Sequence, residues 1–313
     1  MARCIKKVVK TTEEWLELRR PRIGGSEISA VVGINPFESK YELYLRKTGQ
    51  SEDKVENLAM RLGHKLENAV AELLQEEAGY QIIKNTAGNV IYLSEDYPFA
   101  EASPDRIAYL PGARKSLDNR CIVEIKTTQK NVDPDNLPEH WICQIQWYMG
   151  HTGIHTAVIA WLTAGRDFGY QVVDFSKEFF DYLLEEGRQF MEDMRKGVAP
   201  APVTSQDCRL AYPRQEVGKV SEVNEAVALA CERYKDIKTR IKDLEAQKDE
   251  CEDMLKVAFA DAESISYGGL TLATFKAAKD TLKFDARKFQ EENPELAQKY
   301  MVNCQGARRL VVK

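Results

Sequence analysis

The sequence predicts a mixed α/β fold in which helices flank a central mixed sheet, followed by a long coiled-coil-like helix and a small α/β tail. Three observations carry this. Apolar residues recur at helical spacing through the first quarter of the chain, and β-branched runs bounded by turn residues then take over, interrupted by one helix with clear start and stop signals. From residue 220 a heptad seam replaces both patterns.

Residues 11–20, TTEEWLELRR, open with a threonine cap signal and first-turn acids and put Trp15 and Leu18 on one side, which predicts a short helix. Pro21 and Gly24-Gly25 end it. A second helix starts near Ser26, where a serine at a helix N-terminus beside flexible glycines can hold an anion. ESKYELYLRKTG continues helically, and a longer helix over about 56–78 carries Leu58, Leu62, Leu66, Val70, Leu73 and Leu74 near the helical period. YQIIKNTAGNVIYL, the segment 99–109 and CIVEIK then predict three or four strands.

PEHWICQIQWYMG opens with Pro138 and reaches Gly150, a helix with both ends signalled. HTAVIAWLTAG and DFGYQVVDF supply two more strands, and SKEFFDYLLEEGRQFMEDMRKG closes this domain as an amphipathic helix. APAPVTSQD reads as a linker, so the expected domains are 1–200 and 201–313. Beyond it Val220, Val223, Val227, Ala230, Tyr234, Ile237, Ile241, Leu244, Lys248, Cys251, Leu255 and Ala258 alternate spacings of three and four, predicting a helix of about 40 residues with Lys248 as the break in its seam. The tail reads as a glycine-turned hairpin, a short helix and a final strand over GARRLVVK.

With 313 residues, 43% hydrophobic and 30% charged, the chain can bury a sizeable core. Its first residues, MARCIKKVVKTTEEW, hold no apolar signal core and no run is long enough to span a membrane, so a cytoplasmic location is expected. Seven scattered cysteines without a CxxC pair exclude a disulfide framework and a zinc ribbon. A net charge of −5 excludes a uniformly basic surface but leaves room for a basic groove.

One stretch stands out chemically. Ser103-Pro104-Asp105 precedes the strand CIVEIK, which carries Glu124 and Lys126 in an otherwise apolar run. A buried carboxylate needs a partner or a metal. This is the spacing of the PD-(D/E)xK nucleases and their restriction-endonuclease-like core. The chemistry fits those residue types: hard Mg²⁺ prefers oxygen, so Asp105, Glu124 and the Ile125 carbonyl can hold it, while Lys126, on the same strand face as Glu124, can orient or deprotonate water. An ExK triplet alone is common among 49 acidic and 44 basic residues. Its surroundings give it weight, because His64 and Glu67 lie one turn apart on the preceding helix and Gln144 falls on the following one.

WLELRRPRIGGSEISAVVGINPF, LGHKLENAV, EASPDRI, VEIKTT and HWICQIQWYM, in that order over residues 15 to about 165, resemble the YqaJ-type viral recombinase family, relatives of lambda exonuclease. The resemblance implies that Asp105 and Glu124 are metal ligands, Lys126 the catalytic lysine, Glu67 the helix acid supporting a second metal, and Gln144 a contact to the lysine or the substrate phosphate. It implies that Arg19, Ser26 and Ser103 hold the 5′-terminal phosphate, with Arg20 and Arg22 as neighbours able to take Arg19's part. It implies two Mg²⁺ per site, replaceable by Mn²⁺; the iron–sulfur cluster of the family's helicase-associated cousins is not expected, because the CxxC spacing it needs is absent.

The implied activity is 5′-to-3′ degradation of one strand of linear double-stranded DNA. It leaves 3′ single-stranded overhangs for a single-strand annealing protein during phage recombination, with a homo-oligomeric, trimeric ring enclosing the DNA; the C-terminal extension leaves a tetramer open as well. An endonuclease of the same superfamily and a catalytically idle DNA-binding scaffold are the alternatives. Trp141, Trp147 and Tyr148 are expected in the core, and His64 outside the catalytic set.

Overall fold

The computed structural model describes residues 3–52, 57–83, 90–304 and 306–313. The start of the helix expected from residue 56 and the middle of the strand expected over 80–93 lie outside the described residues. Two units divide the chain, Met1–Ala211 and Tyr212–Lys313.

The first unit opens with β1 (Cys4–Val8), a strand absent from the expectations, then α1 (Thr12–Arg19), capped by the Thr11 hydroxyl accepting from Glu14 N at 3.1 Å. Three helices follow, α2 (Gly25–Val31), α3 (Lys40–Lys47) and α4 (Leu58–Ala78). Strands β2 (Gln81–Ile82), β3 (Val90–Ser94), β4 (Glu101–Ala102), β5 (Arg106–Tyr109) and β6 (Arg120–Thr128) lead to α5 (Glu139–Thr152). The unit ends with β7 (Thr156–Thr163), β8 (Asp167–Asp174), α6 (Lys177–Arg195) and α7 (Ser205–Ala211).

The main sheet runs β2-β5-β6-β7-β8, parallel between β6 and β7 and antiparallel elsewhere; β1, β3 and β4 form a separate antiparallel sheet. The central β6 is covered on both faces. Cys121, Val123 and Ile125 pack toward Val70, Ala71 and Leu74 of α4, whereas Ile122 joins the larger core formed with Ile145, Trp147 and Met149 of α5 and Phe190 of α6. Alternation along the strand therefore puts Glu124 and Lys126 on the α5 face.

The expected stop at Gly150 is displaced to Gly153, which has φ +69° and ends α5 in the left-handed conformation glycine tolerates. Gly150 is helical for a packing reason instead, since a Cβ there would lie 2.2 Å from the Phe180 ring. The presumed linker also contains structure: buried Asp207 on α7 accepts from the N–H groups of Val203 and Thr204, both at 3.0 Å, and from the Ser39 hydroxyl at 2.5 Å.

In the second unit α8 (Glu225–Phe259) begins where the Asn224 side chain accepts from Val227 N, so Val220 and Val223 precede the helix expected to contain them. Strands β9 (Ser264–Tyr267) and β10 (Leu270–Thr274) form the hairpin, turned at Gly268 and Gly269 with positive φ. The helix expected next is two, α9 (Ala286–Glu292) and α10 (Pro294–Lys299), because proline can start a helix but not continue one. Residues 306–313 form no strand. Among the described residues the β9-β10 ladder holds its own two strands, and residues 306–313 add no third to it.

Candidate active site

The β5-β6 register pairs Arg106 with Val123, which brings Asp105, just before β5, beside the middle of β6. Its Oδ2 accepts from the Ile125 N–H at 2.7 Å. Glu124, 2% exposed, sits under α5 and accepts at Oε1 from Lys126 Nζ at 2.7 Å and from Gln144 Nε2 at 2.6 Å. Lys126 also donates to Gln144 Oε1 at 2.8 Å, so lysine, glutamate and glutamine close a triangle. Gln144 Nε2 further contacts the Tyr148 hydroxyl at 3.1 Å, one helical turn on. Tyr148 is buried as expected, but it also orients this glutamine.

Glu67 reaches the site from α4 and pairs with Arg106 Nη1 at 3.4 Å, while Arg106 Nη2 donates to Asn68 Oδ1 at 2.9 Å. His64, Glu67, Ser103 and Asp105 line one recess together with Trp15. Burial and the negative charge of Asp105 push Glu124 up to about 8, against the pull of Lys126. Burial also raises Asp105, and burial with the neighbouring Asp105 raises Glu67. Three carboxyl groups thus oppose one another's ionisation, a field that a cation relieves.

Among the described residues no three His, Cys, Asp or Glu side chains form a group that could hold a metal ion. The donor set that fits one is narrower: Asp105 and Glu124, with Glu124 Oε2 buried and without a hydrogen-bond partner. An orphaned buried carboxylate oxygen beside a second carboxylate suits a hard divalent cation. Because the proton on Glu124 competes with such a cation, Ca²⁺ binding is expected to release close to one proton at about pH 7 and far less above about pH 9. Calorimetry in buffers of different ionisation enthalpy reads this directly; proton release that does not change across that range removes Glu124 from the ligand set.

The other three expected site residues also come together. Arg19 Nη2 donates to Ser26 Oγ at 3.0 Å, Arg19 Nε lies 3.1 Å from Glu101 Oε1 as an ion pair, and Ser103 Oγ donates to Glu101 Oε2 at 2.8 Å. The Arg19 guanidinium also lies 4.1 Å from the centre of the Trp15 ring. Gly24 permits this closeness, since a Cβ there would sit 2.1 Å from Glu101 Oε1 and 2.9 Å from Arg19 Nη2. Arg22 is turned elsewhere, donating to the Leu18 carbonyl at 2.8 Å.

Sequence reasoning missed Glu101 and, behind it, a buried network centred on Glu27. Glu27 meets Lys47 Nζ at 2.9 Å, Arg46 Nη2 at 3.0 Å and Arg19 Nη2 at 3.6 Å. Burial alone would raise Glu27, but these three cations and the Gly24 N–H outweigh it and hold the carboxyl down to about 2. The Gly-x-x-Glu spacing of residues 24–27 was a legible sign of one contact, the Gly24 N–H donating to Glu27 Oε2 at 3.0 Å, which is the reach-back half of a capping box.

Helix, strands and helix in this order, with Asp105 just before β5 and Glu124 and Lys126 on the central β6, make the mixed α/β arrangement of a PD-(D/E)xK-type fold. Residues 14–155 match the YqaJ-like viral recombinase domain. It is 29% identical over 303 residues to the Bacillus subtilis protein YqaJ, covering 92% of this chain and 90% of that one. Protein D345L of African swine fever virus is 24% identical over 153 residues, 43% of this chain and 44% of that protein. Among solved structures, an alkaline exonuclease from Laribacter hongkongensis aligns with TM-score 0.46 and 18% identity over 60% of this chain and 94% of that one. A phage-related exonuclease from Haemophilus somnus aligns with TM-score 0.39 and 13% identity over 57% and 96%. Among the described residues no helix is long and apolar enough to cross a membrane.

Proposed function

We propose that the chain is a divalent-metal-dependent exonuclease that degrades one strand of linear duplex DNA from its 5′ end and leaves a 3′ overhang for a single-strand annealing protein. One observation carries this. A single cleft of about 800 Å³ is lined by Lys126 and Gln144 of the carboxylate site and by Ser26, the hydrogen-bond partner of Arg19. Asp105, Glu67 and Ser103 line a second recess, so a phosphodiester held at the carboxylates would meet the cleft at Lys126 and Gln144, and a terminal phosphate would meet it at Ser26. The rival endonuclease has no use for an end pocket.

Asp105, Glu124 and the Ile125 carbonyl would hold the metal, with Glu67 supporting a second. When bound, the metal supplies Lewis acidity and lowers the pKa of its water. Lys126 stands against Glu124 Oε1 with its ammonium fixed by Gln144, placed to orient the attacking water or to offset charge on the phosphate. Arg19 offers the phosphate a charge-assisted contact, while Glu101 and Glu27 fix the direction of its guanidinium.

A linear duplex with 5′-phosphates is expected to be digested roughly tenfold faster than the same duplex with 5′-hydroxyls, the effect of about 1.4 kcal/mol. Arg19→Ala and Ser26→Ala should shrink that ratio without abolishing cleavage, and a closed circle should stay intact. Equal rates on the two ends, or nicking of the circle, favour the endonuclease. End-labelled substrates distinguish 5′ from 3′ polarity in the same assay.

A further inference from the structure

Helix α8 is 35 residues long, so it extends about 52 Å. Its seam faces solvent: Val227, Tyr234, Ile237, Ile241, Leu244 and Leu255 are all between 41% and 62% exposed. So much apolar surface on one stripe calls for a partner. We propose that this seam pairs antiparallel with the same helix of a second copy of the chain.

Charge supports the second copy and sets the direction. Residues 232–242 carry five basic side chains and two acidic ones, whereas residues 243–253 carry six acidic and one basic. An antiparallel pair lays the basic half of each helix on the acidic half of the other; a parallel pair lays like on like. Flanking the seam, Lys238 then faces Glu245 of the second copy, and the two-fold axis makes that contact twice.

Side-chain volume agrees. With Ile241 opposite the second copy's Leu244 at the centre, Tyr234 meets Cys251, Ala230 meets Leu255 and Val227 meets Ala258, so each large residue meets a small one at the flanking layers. Lys248 meets Ile237, and its stem can lie along the seam while the ammonium keeps its partners Glu252 and Asp249. A parallel pair would instead stack Ala230 on Ala230 and set Lys248 against Lys248. The lysine that interrupts the seam thus selects against the parallel register, at a cost in stability.

The register predicts a specific crosslink in the full-length chain. Exposed Cys208, Cys231 and Cys304 are replaced by serine and Cys251 is kept. Under mild oxidation Tyr234→Cys is expected to convert most of the chain to a covalent dimer, because residue 234 lies across from Cys251 of the second copy; Cys251→Ser should remove the product. The parent with Tyr234 should stay uncrosslinked, since the two Cys251 residues are about 26 Å apart along an antiparallel pair. Exposed Lys238→Cys with Glu245→Cys in the Cys251→Ser chain tests the same register without touching the seam. A dimer formed by the parent through Cys251 would mean parallel pairing, and no dimer from either variant would mean that something other than a second copy covers the helix. Either result overturns the proposal.

Discussion

Replacing Lys126 by alanine is expected to lower phosphodiester cleavage by roughly 10²–10⁴-fold, the usual range for a positioned proton-transfer group. Duplex binding in Ca²⁺ should stay near wild type, because the lysine's partners are Glu124 and Gln144 within the protein. Its removal leaves Glu124 Oε1 with only the Gln144 amide donor and takes away the positive charge that opposes the upward push on Glu124. The pH at which activity is half-maximal should therefore move upward as well as the rate falling, and rate–pH profiles separate this from simple misfolding. Gln144→Ala should cost less, and the double variant should lose less than the two single losses combined, since both act on one triangle of contacts. Near-normal cleavage by Lys126→Ala would remove the assigned chemistry.

That triangle was legible because its parts obey local periods. Glu124 and Lys126 share a strand face by alternation, and Gln144 sits on a helix whose proline start was visible. Asp105 was legible only as a motif residue; its link to β6, the hydrogen bond to Ile125 N–H, depends on the β5-β6 register, which sequence does not specify alone. Glu27 and Glu101 were missed for a different reason. Their positions read as a helix N-terminus and a turn, and nothing local reveals that two acids will be buried against arginines and a lysine from other elements. Strand β1 was missed because its partner β3 lies some 85 residues away and its own residues are mostly exposed. In the tail, local pattern overreached: GARRLVVK has strand propensity, but among the described residues it pairs with neither edge of the β9-β10 ladder.

The buried network behind Arg19 yields the second large expectation: Glu27→Ala should destabilise the first unit by about 3–5 kcal/mol, as when one partner of a buried ion pair is removed. Lys47 is the reason. Its side chain is 1% exposed, and besides Glu27 it donates to the carbonyls of Arg19 and Arg22, so without the carboxylate its charge stays buried with only neutral acceptors. Arg46 keeps Glu38, with contacts of 2.9 and 3.0 Å, and is less affected. The pH dependence has a definite sign. A carboxyl held down to about 2 contributes stability that is fully present above the unfolded carboxylate range and is lost as pH falls through the folded value, so the wild type should lose more stability than Glu27→Gln between about pH 5 and pH 2. Function should follow the same contact. With Glu27 gone, Arg19 keeps Glu101, Ser26 and the Trp15 ring but loses one of its two carboxylates, its guanidinium turns more freely, and the preference for a 5′-phosphate should narrow before the cleavage rate on 5′-hydroxyl ends does. Urea denaturation monitored through tryptophan fluorescence measures the first effect and end-dependent rates the second. A loss below about 1 kcal/mol, the size of an exposed pair, would mean that Lys47 finds another counter-charge or releases its proton at little cost.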